Sequence, residues 1–131
     1  MGVVLLNKHE LIDRVEGYFK YVDNGNISKL LTYLTPNCTI SVVTSNITHK
    51  GRDTDIKKMF ERRLLSTEQA WHGNFKHLAD TKLGWVTSRF DVHRTNSEGK
   101  YREMDNINFF EFETEKICRI SIWMSGENSL I

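Results

Sequence analysis

The hydrophobic period of this chain changes once, near Trp71, and that change limits what it can fold into. Before it, apolar residues recur at helical spacing; after it, they alternate at strand spacing. Asn7 can cap a helix with Glu10 three positions on, and Leu11, Val15, Tyr18 and Val22 then share one stripe until Gly25. Asn26 or Ser28 can start a short second helix with apolar Ile27, Leu30, Leu31 and Leu34, stopped by Thr35-Pro36. A β-branched strand of roughly residues 38–44 follows. Past a polar connection ending near Lys50-Gly51, Asp53 or Thr54 can cap a third helix whose buried stripe is Ile56, Met59, Phe60 and Leu64. Its other face, carrying Lys57, Lys58, Arg62 and Arg63, reads as solvated because Glu61 interrupts the cluster.

From Trp71 onward, extended segments near 71–79, 85–94, 100–113 and 116–125 are separated by short turns, which predicts an antiparallel meander. Helices first and hairpins afterwards indicate an α+β fold, three N-terminal helices packed on a curved antiparallel sheet. Pro36 is the sole proline, and no linker or repeat divides the sequence, so residues 1–131 are expected to form a single domain. Strand parity then sorts the side chains. Met104, Asn106, Asn108, Phe110 and Phe112 share one face, as do Cys118, Ile120, Ile122 and Met124, while Ile107, Phe109 and Trp123 lie opposite. Large apolar groups on both faces require two covers: the helices on one side and a second subunit on the other.

Composition removes several classes of function. Lys and Arg total 18 against 17 Asp and Glu, a net charge of +1, which lacks the basic footprint of a nucleic-acid binder. The longest aliphatic run, Val3 to Leu6, is far too short to span a membrane or form a signal-peptide core. Without a signal sequence the acceptor patterns at Asn26, Asn37 and Asn46 carry no weight, and a cytoplasmic location is expected. Cys38 and Cys118 read as a reduced, buried pair. There is no metal-ligand cluster, phosphate loop or cysteine–histidine pair, so neither metal nor cofactor is expected.

The stretch Tyr18-Phe-Lys-Tyr-Val-Asp23-Asn-Gly-Asn-Ile27, with Gly51-Arg52-Asp53 before the third helix, resembles the start of the NTF2-like (cystatin-like) superfamily. Ile107-Asn108-Phe109-Phe110-Glu111-Phe112 and Lys116-Ile117 through Trp123 to Asn128 look like the closing hairpin of ketosteroid isomerases and SnoaL-like polyketide cyclases. The resemblance covers roughly residues 7–128. It implies a cone, a curved sheet wrapped around a long helix, with a mostly apolar pocket and commonly a homodimer through the sheet. It also implies roles. Tyr18 matches the helix-1 tyrosine that donates to a developing oxyanion, and Asn108 stands where the isomerases place a protonated acid. Their catalytic carboxylate falls on Val42, which cannot accept a proton, so steroid isomerisation by that mechanism is not expected. Scytalone dehydratase and related SnoaL-like lyases instead pair an aspartate near the end of helix 1 with a histidine opening the first meander strand. Those positions look like Asp23 and His72. A carboxylate accepting one ring N–H fixes the tautomer and raises the basicity of the other nitrogen.

Plainer readings stand beside these. Asp23 can serve a turn or a cap, Tyr18 can be a core tyrosine, and Asn108 either meets ligand or water or ties neighbouring side chains together. His77 and His93 compete with His72; parity puts His93 outside, with Asp91 and Arg89, and His9 and His49 look peripheral. The expectation is a cofactor-independent lyase or isomerase moving protons on a small, largely apolar, oxygen-bearing ligand. Asp23, His72, Tyr18 and Asn108 would do the chemistry, and Phe110, Ile120, Ile122 and Met124 would line the substrate site. The alternative is a non-catalytic ligand-binding or interaction protein of the same fold.

Overall fold

Reciprocal capping opens helix α1 (Lys8–Asn24): Asn7 Oδ1 accepts the Glu10 N–H at 2.8 Å and Glu10 Oε1 accepts the Asn7 N–H at 3.1 Å. Its stripe of Leu11, Val15, Tyr18 and Phe19 is buried, and Gly25, with φ 67°, ends it in the left-handed conformation. These coordinates are a computed structural model, which describes residues 6–128 and 130; Val3–Leu5 of the aliphatic run lie outside them. Asn26 caps the short helix α2 (Ile27–Leu31) by accepting the Lys29 N–H.

Strand β1 (Leu34–Val42) begins earlier than the prolyl stop suggests. It takes in Thr35-Pro36 because its register with the last strand is irregular between Leu34 and Thr39, where a residue without an N–H is tolerated. A short edge strand, β2 (Ile47–Lys50), occupies what reads as a polar connection. Helix α3 (Lys57–Leu65) is entered through a wide turn over Gly51–Ile56, so neither Asp53 nor Thr54 caps it. Asp53 instead pairs with Arg52, Thr54 donates its hydroxyl to the Lys50 carbonyl, and Asp55 accepts the Lys50 N–H. Met59 and Phe60 are buried, whereas Leu64 is exposed.

Strands β3 (Gln69–Asp80), β4 (Trp85–Thr95), β5 (Tyr101–Glu113) and β6 (Lys116–Trp123) form the expected antiparallel meander. The six-stranded sheet runs β2-β1-β6-β5-β4-β3, with β1 parallel to β6, and the helices pack on one face of its curve. That inner face carries Val86, Phe90, Val92, Phe110 and Ile120, all buried in one core with the apolar stripe of α1. Trp71, Trp85, Ile107 and Trp123 stay exposed on the other face. No helix among the described residues is long and apolar enough to cross a membrane.

Two one-residue slips decide which side chains turn inward. Between Gly73 and Lys76, β3 carries three steps against two on β4, with Asn74 in the left-handed region at φ 54°. A Cβ at Gly73 would meet the exposed Trp71 ring, which lies over that position. As a result His72 stands opposite Val92 and His77 opposite Ser88, and both point to the inner face although their numbers differ by an odd count. In β6, Ile117 pairs with Phe112 and Arg119 with Glu111, so Cys118 is the extra residue of a bulge. The inward place expected for Cys118 belongs to Ile117, and Cys118 is only half-buried.

Candidate active site

The last turn of α1 and the first residues of β3 meet on the wall of a cavity of about 410 Å³. Asp23 engages His72 twice there. Its Oδ2 accepts the His72 backbone N–H at 2.9 Å, and its Oδ1 accepts the ring Nδ1–H at 2.5 Å. The first contact fixes the strand against the helix, and the second fixes the tautomer that leaves Nε2 with a lone pair. Nε2 has no hydrogen-bond partner among the described residues, and His72 forms part of the cavity wall. The ring is held by stacking on Phe19, with centroids 5.0 Å apart and planes inclined by 28°. Asp23 serves no cap, since Gly25 ends α1 and Asn26 starts α2.

Tyr18 and Asn108 belong to the same wall. The Tyr18 ring packs edge-on against Phe110, and its hydroxyl has no partner among the described residues. Burial, with a smaller contribution from the nearby Cys38 thiol, pushes the phenol well above its ordinary pKa and keeps it a neutral donor. Asn108 is 3% exposed and its Oδ1 is unpartnered. A buried amide left open costs stability unless something in the cavity bonds to it.

Ile122 and Met124 also reach the cavity, but Phe110 and Ile120 do not. Those two face each other across β5 and β6, fully buried behind the wall, where Phe110 packs on Tyr18 and Phe19. Val42 is buried in the core and offers no base. His93 lies outside, against Trp71 and Tyr101, as parity requires. His77 is inside but away from this cavity, bonded to Ser88 and Glu16. His49 is not peripheral: it is buried in β2, and its Nε2 lies 2.8 Å from the Leu130 carbonyl oxygen. No group of His, Cys, Asp and Glu among the described residues is arranged to hold a metal ion.

Arg63, Glu68 and Arg94 complete the wall and escape the reading of the sequence. Glu68 pairs with Arg94 Nε through Oε1, and the same oxygen lies 3.9 Å from Arg63 Nη2. Arg94 Nη1 donates to the Glu127 carbonyl at 2.9 Å; Arg63 Nη1 donates to Ser66 Oγ and the Glu68 carbonyl, each at 3.1 Å. Removal from water holds the Arg63 guanidinium below its ordinary pKa, against the opposing pull of Glu68. A signal for both arginines exists in the sequence. Arg94 continues the inward parity of Phe90 and Val92, and Arg63 lies three and four residues beyond Phe60 and Met59 on the buried stripe of α3. Glu68 sits between elements, where no period marks it.

Residues 15–120 match the family model of the SnoaL-like domain. Among solved structures, a protein from Xanthomonas campestris described as a polyketide cyclase superposes with a TM-score of 0.80 at 15% identity, covering 90% of this chain and 92% of its own. A protein from Kribbella flavida described as a ketosteroid isomerase gives 0.70 at 12% identity, covering 92% and 81%. A protein of ketosteroid isomerase-like fold from Catenulispora acidiphila, in complex with trimethylamine, gives 0.76 at 14% identity, covering 89% and 88%. Likeness at such identities shows the fold. No curated protein sequence matches the chain.

Proposed function

The chain belongs to the SnoaL-like domain family, and from that membership together with the Asp23–His72 geometry we propose that it is a cofactor-independent lyase or isomerase, performing dehydration, isomerisation or cyclisation by proton transfer. The observation that carries this reading is the double engagement of His72 by Asp23, which leaves Nε2 open on the wall of the cavity. His72 Nε2 removes a proton from a carbon next to a carbonyl group. The imidazolium that forms is stabilised through Nδ1–H by the Asp23 carboxylate. Charge moves to the carbonyl oxygen, which the Tyr18 hydroxyl and the Asn108 amide receive as hydrogen-bond donors. Return of the proton to a different atom completes an isomerisation, and its delivery to a departing hydroxyl completes a dehydration. Exposed Trp85, Ile107 and Trp123 on the outer sheet face support pairing of two copies through that face.

Deuterium uptake tests this without knowledge of the natural product. 2-Tetralone in deuterium oxide, followed by proton NMR, exchanges its activated C–H positions faster with the wild-type protein than with buffer alone. His72→Ala and Asp23→Asn each remove most of that acceleration, by about a hundredfold or more for the histidine. Acceleration that survives in His72→Ala, or none in the wild type, sinks the mechanism and leaves a ligand-binding member of the fold.

A further inference from the structure

The Arg63–Glu68–Arg94 cluster asks more of the ligand than an oxygen for Tyr18 and Asn108. Arg94 is 4% exposed, yet only Nε and Nη1 have partners; Nη2 has no hydrogen-bond acceptor among the described residues. Arg63 is similar, with Nη1 bonded twice while Nη2 has only the distant Glu68 oxygen. Two guanidiniums share one directly paired carboxylate, which leaves donors on both arginines in an otherwise largely apolar cavity. The other carboxylate of the wall, Asp23, attracts Arg63 from a distance, but both of its oxygens are bonded by His72 and neither bonds an arginine. A purely mechanical reading explains the Glu127 contact of Arg94 and the bonds of Arg63 to Ser66 and the Glu68 carbonyl, but it leaves Nη2 of both arginines without a close acceptor. Buried guanidinium groups are costly unless their donors are used, and planar paired donors suit a carboxylate.

We propose that Arg94 and Arg63 form an anion subsite, and that the ligand is an amphiphile: an apolar body with a reacting carbonyl beside His72 and a carboxylate, or an equivalent anionic oxygen group, at the neighbouring arginines. This rests on the cavity being the ligand site of the proposed function, and it replaces a simply apolar ligand with an acidic one. The arginines neither donate nor remove a proton in the reaction; they set which molecule is held and in which direction. Val92 and Met104 supply apolar wall beside them.

A matched pair of probes tests the subsite by titration calorimetry. 2-Naphthoate and 2-acetonaphthone have nearly the same shape and differ in charge. The wild-type protein binds naphthoate more tightly by about tenfold or more, the worth of one charge-assisted hydrogen-bond pair. Arg94→Gln erases most of that preference and changes the affinity for acetonaphthone little. Should Arg94→Gln fail to fold, Arg63→Gln, at a less buried position, gives the same loss of preference. His72→Ala keeps the preference, which separates the arginines from a charged imidazole and separates this proposal from the proton-transfer mechanism. Equal affinities in the wild type, no binding of naphthoate, a preference intact in Arg63→Gln, or one lost in His72→Ala would each overturn it.

Discussion

Two histidines five residues apart on β3 each meet a carboxylate from α1, and the pairs are put together in opposite ways. His77 has both ring nitrogens engaged, Nδ1 with Ser88 Oγ and Nε2 with Glu16 Oε2, each at 2.7 Å. Its imidazole is buried while the Glu16 side chain is 47% exposed, so the pair bridges helix and sheet with one end in solvent. His72 has one nitrogen engaged, and its carboxylate is sheltered with it. A histidine whose two nitrogens are both committed to protein groups holds elements together. One that keeps a nitrogen open on a cavity wall has capacity left for a ligand. The free nitrogen, more than the histidine–acid pairing itself, distinguishes a site from a brace.

The largest effect expected from this contrast is on catalysis. In the deuterium-exchange measurement His72→Ala loses about two orders of magnitude or more, whereas His77→Ala stays within about threefold of wild type, since no transition-state contact is removed. Comparable losses in both variants would erase the distinction. Next comes Asn108, the open amide on the inner face in register with Ser88. Asn108→Leu lowers exchange by about a hundredfold if the amide donates to the oxyanion, and it raises stability by about 1 kcal/mol because an unpartnered buried amide is removed; urea denaturation reads the second half. A rise in stability with full activity would reduce Asn108 to a packing defect. On stability the order of the histidines reverses. His77→Ala, which strands the buried Ser88 hydroxyl, costs about 2 kcal/mol. Glu16→Gln, at the solvent end, costs under about 1 kcal/mol.

Local rules reached much of this architecture. The capping box at Asn7 and Glu10, the end of α1 at Gly25 and the inward parity of Asn108 follow from chemistry within a few residues of each position. The candidate dyad was reachable through the resemblance, because it pairs a helix end with a strand start. What stayed hidden depends on partners far along the chain. The slip near Gly73 exists only relative to β4, and without it the simple count turns His77 outward. Cys118 yields its inward place to Ile117 for the same reason. β2 is recognisable only beside β1, since Thr48, His49 and Lys50 have no strand-like apolar pattern. The arginines are obscured differently: charge assigns Arg63 to the solvated basic face of α3 and suggests solvent for Arg94, whereas Glu68, Ser66 and the Glu127 carbonyl make their burial tolerable.

The extra residue near Gly73 also bears on how such a chain can change over generations. Length and side-chain chemistry are coupled at that point. Straightening the strand with every residue kept would turn one stretch of β3 over relative to the other, exposing either His72 or His77, whereas losing one residue between Gly73 and Lys76 would match the four steps of β4 and leave both inside. Lineages that preserve both histidines inside must therefore keep or lose the bulge together with its extra residue, a coupling that no substitution at either histidine would reveal.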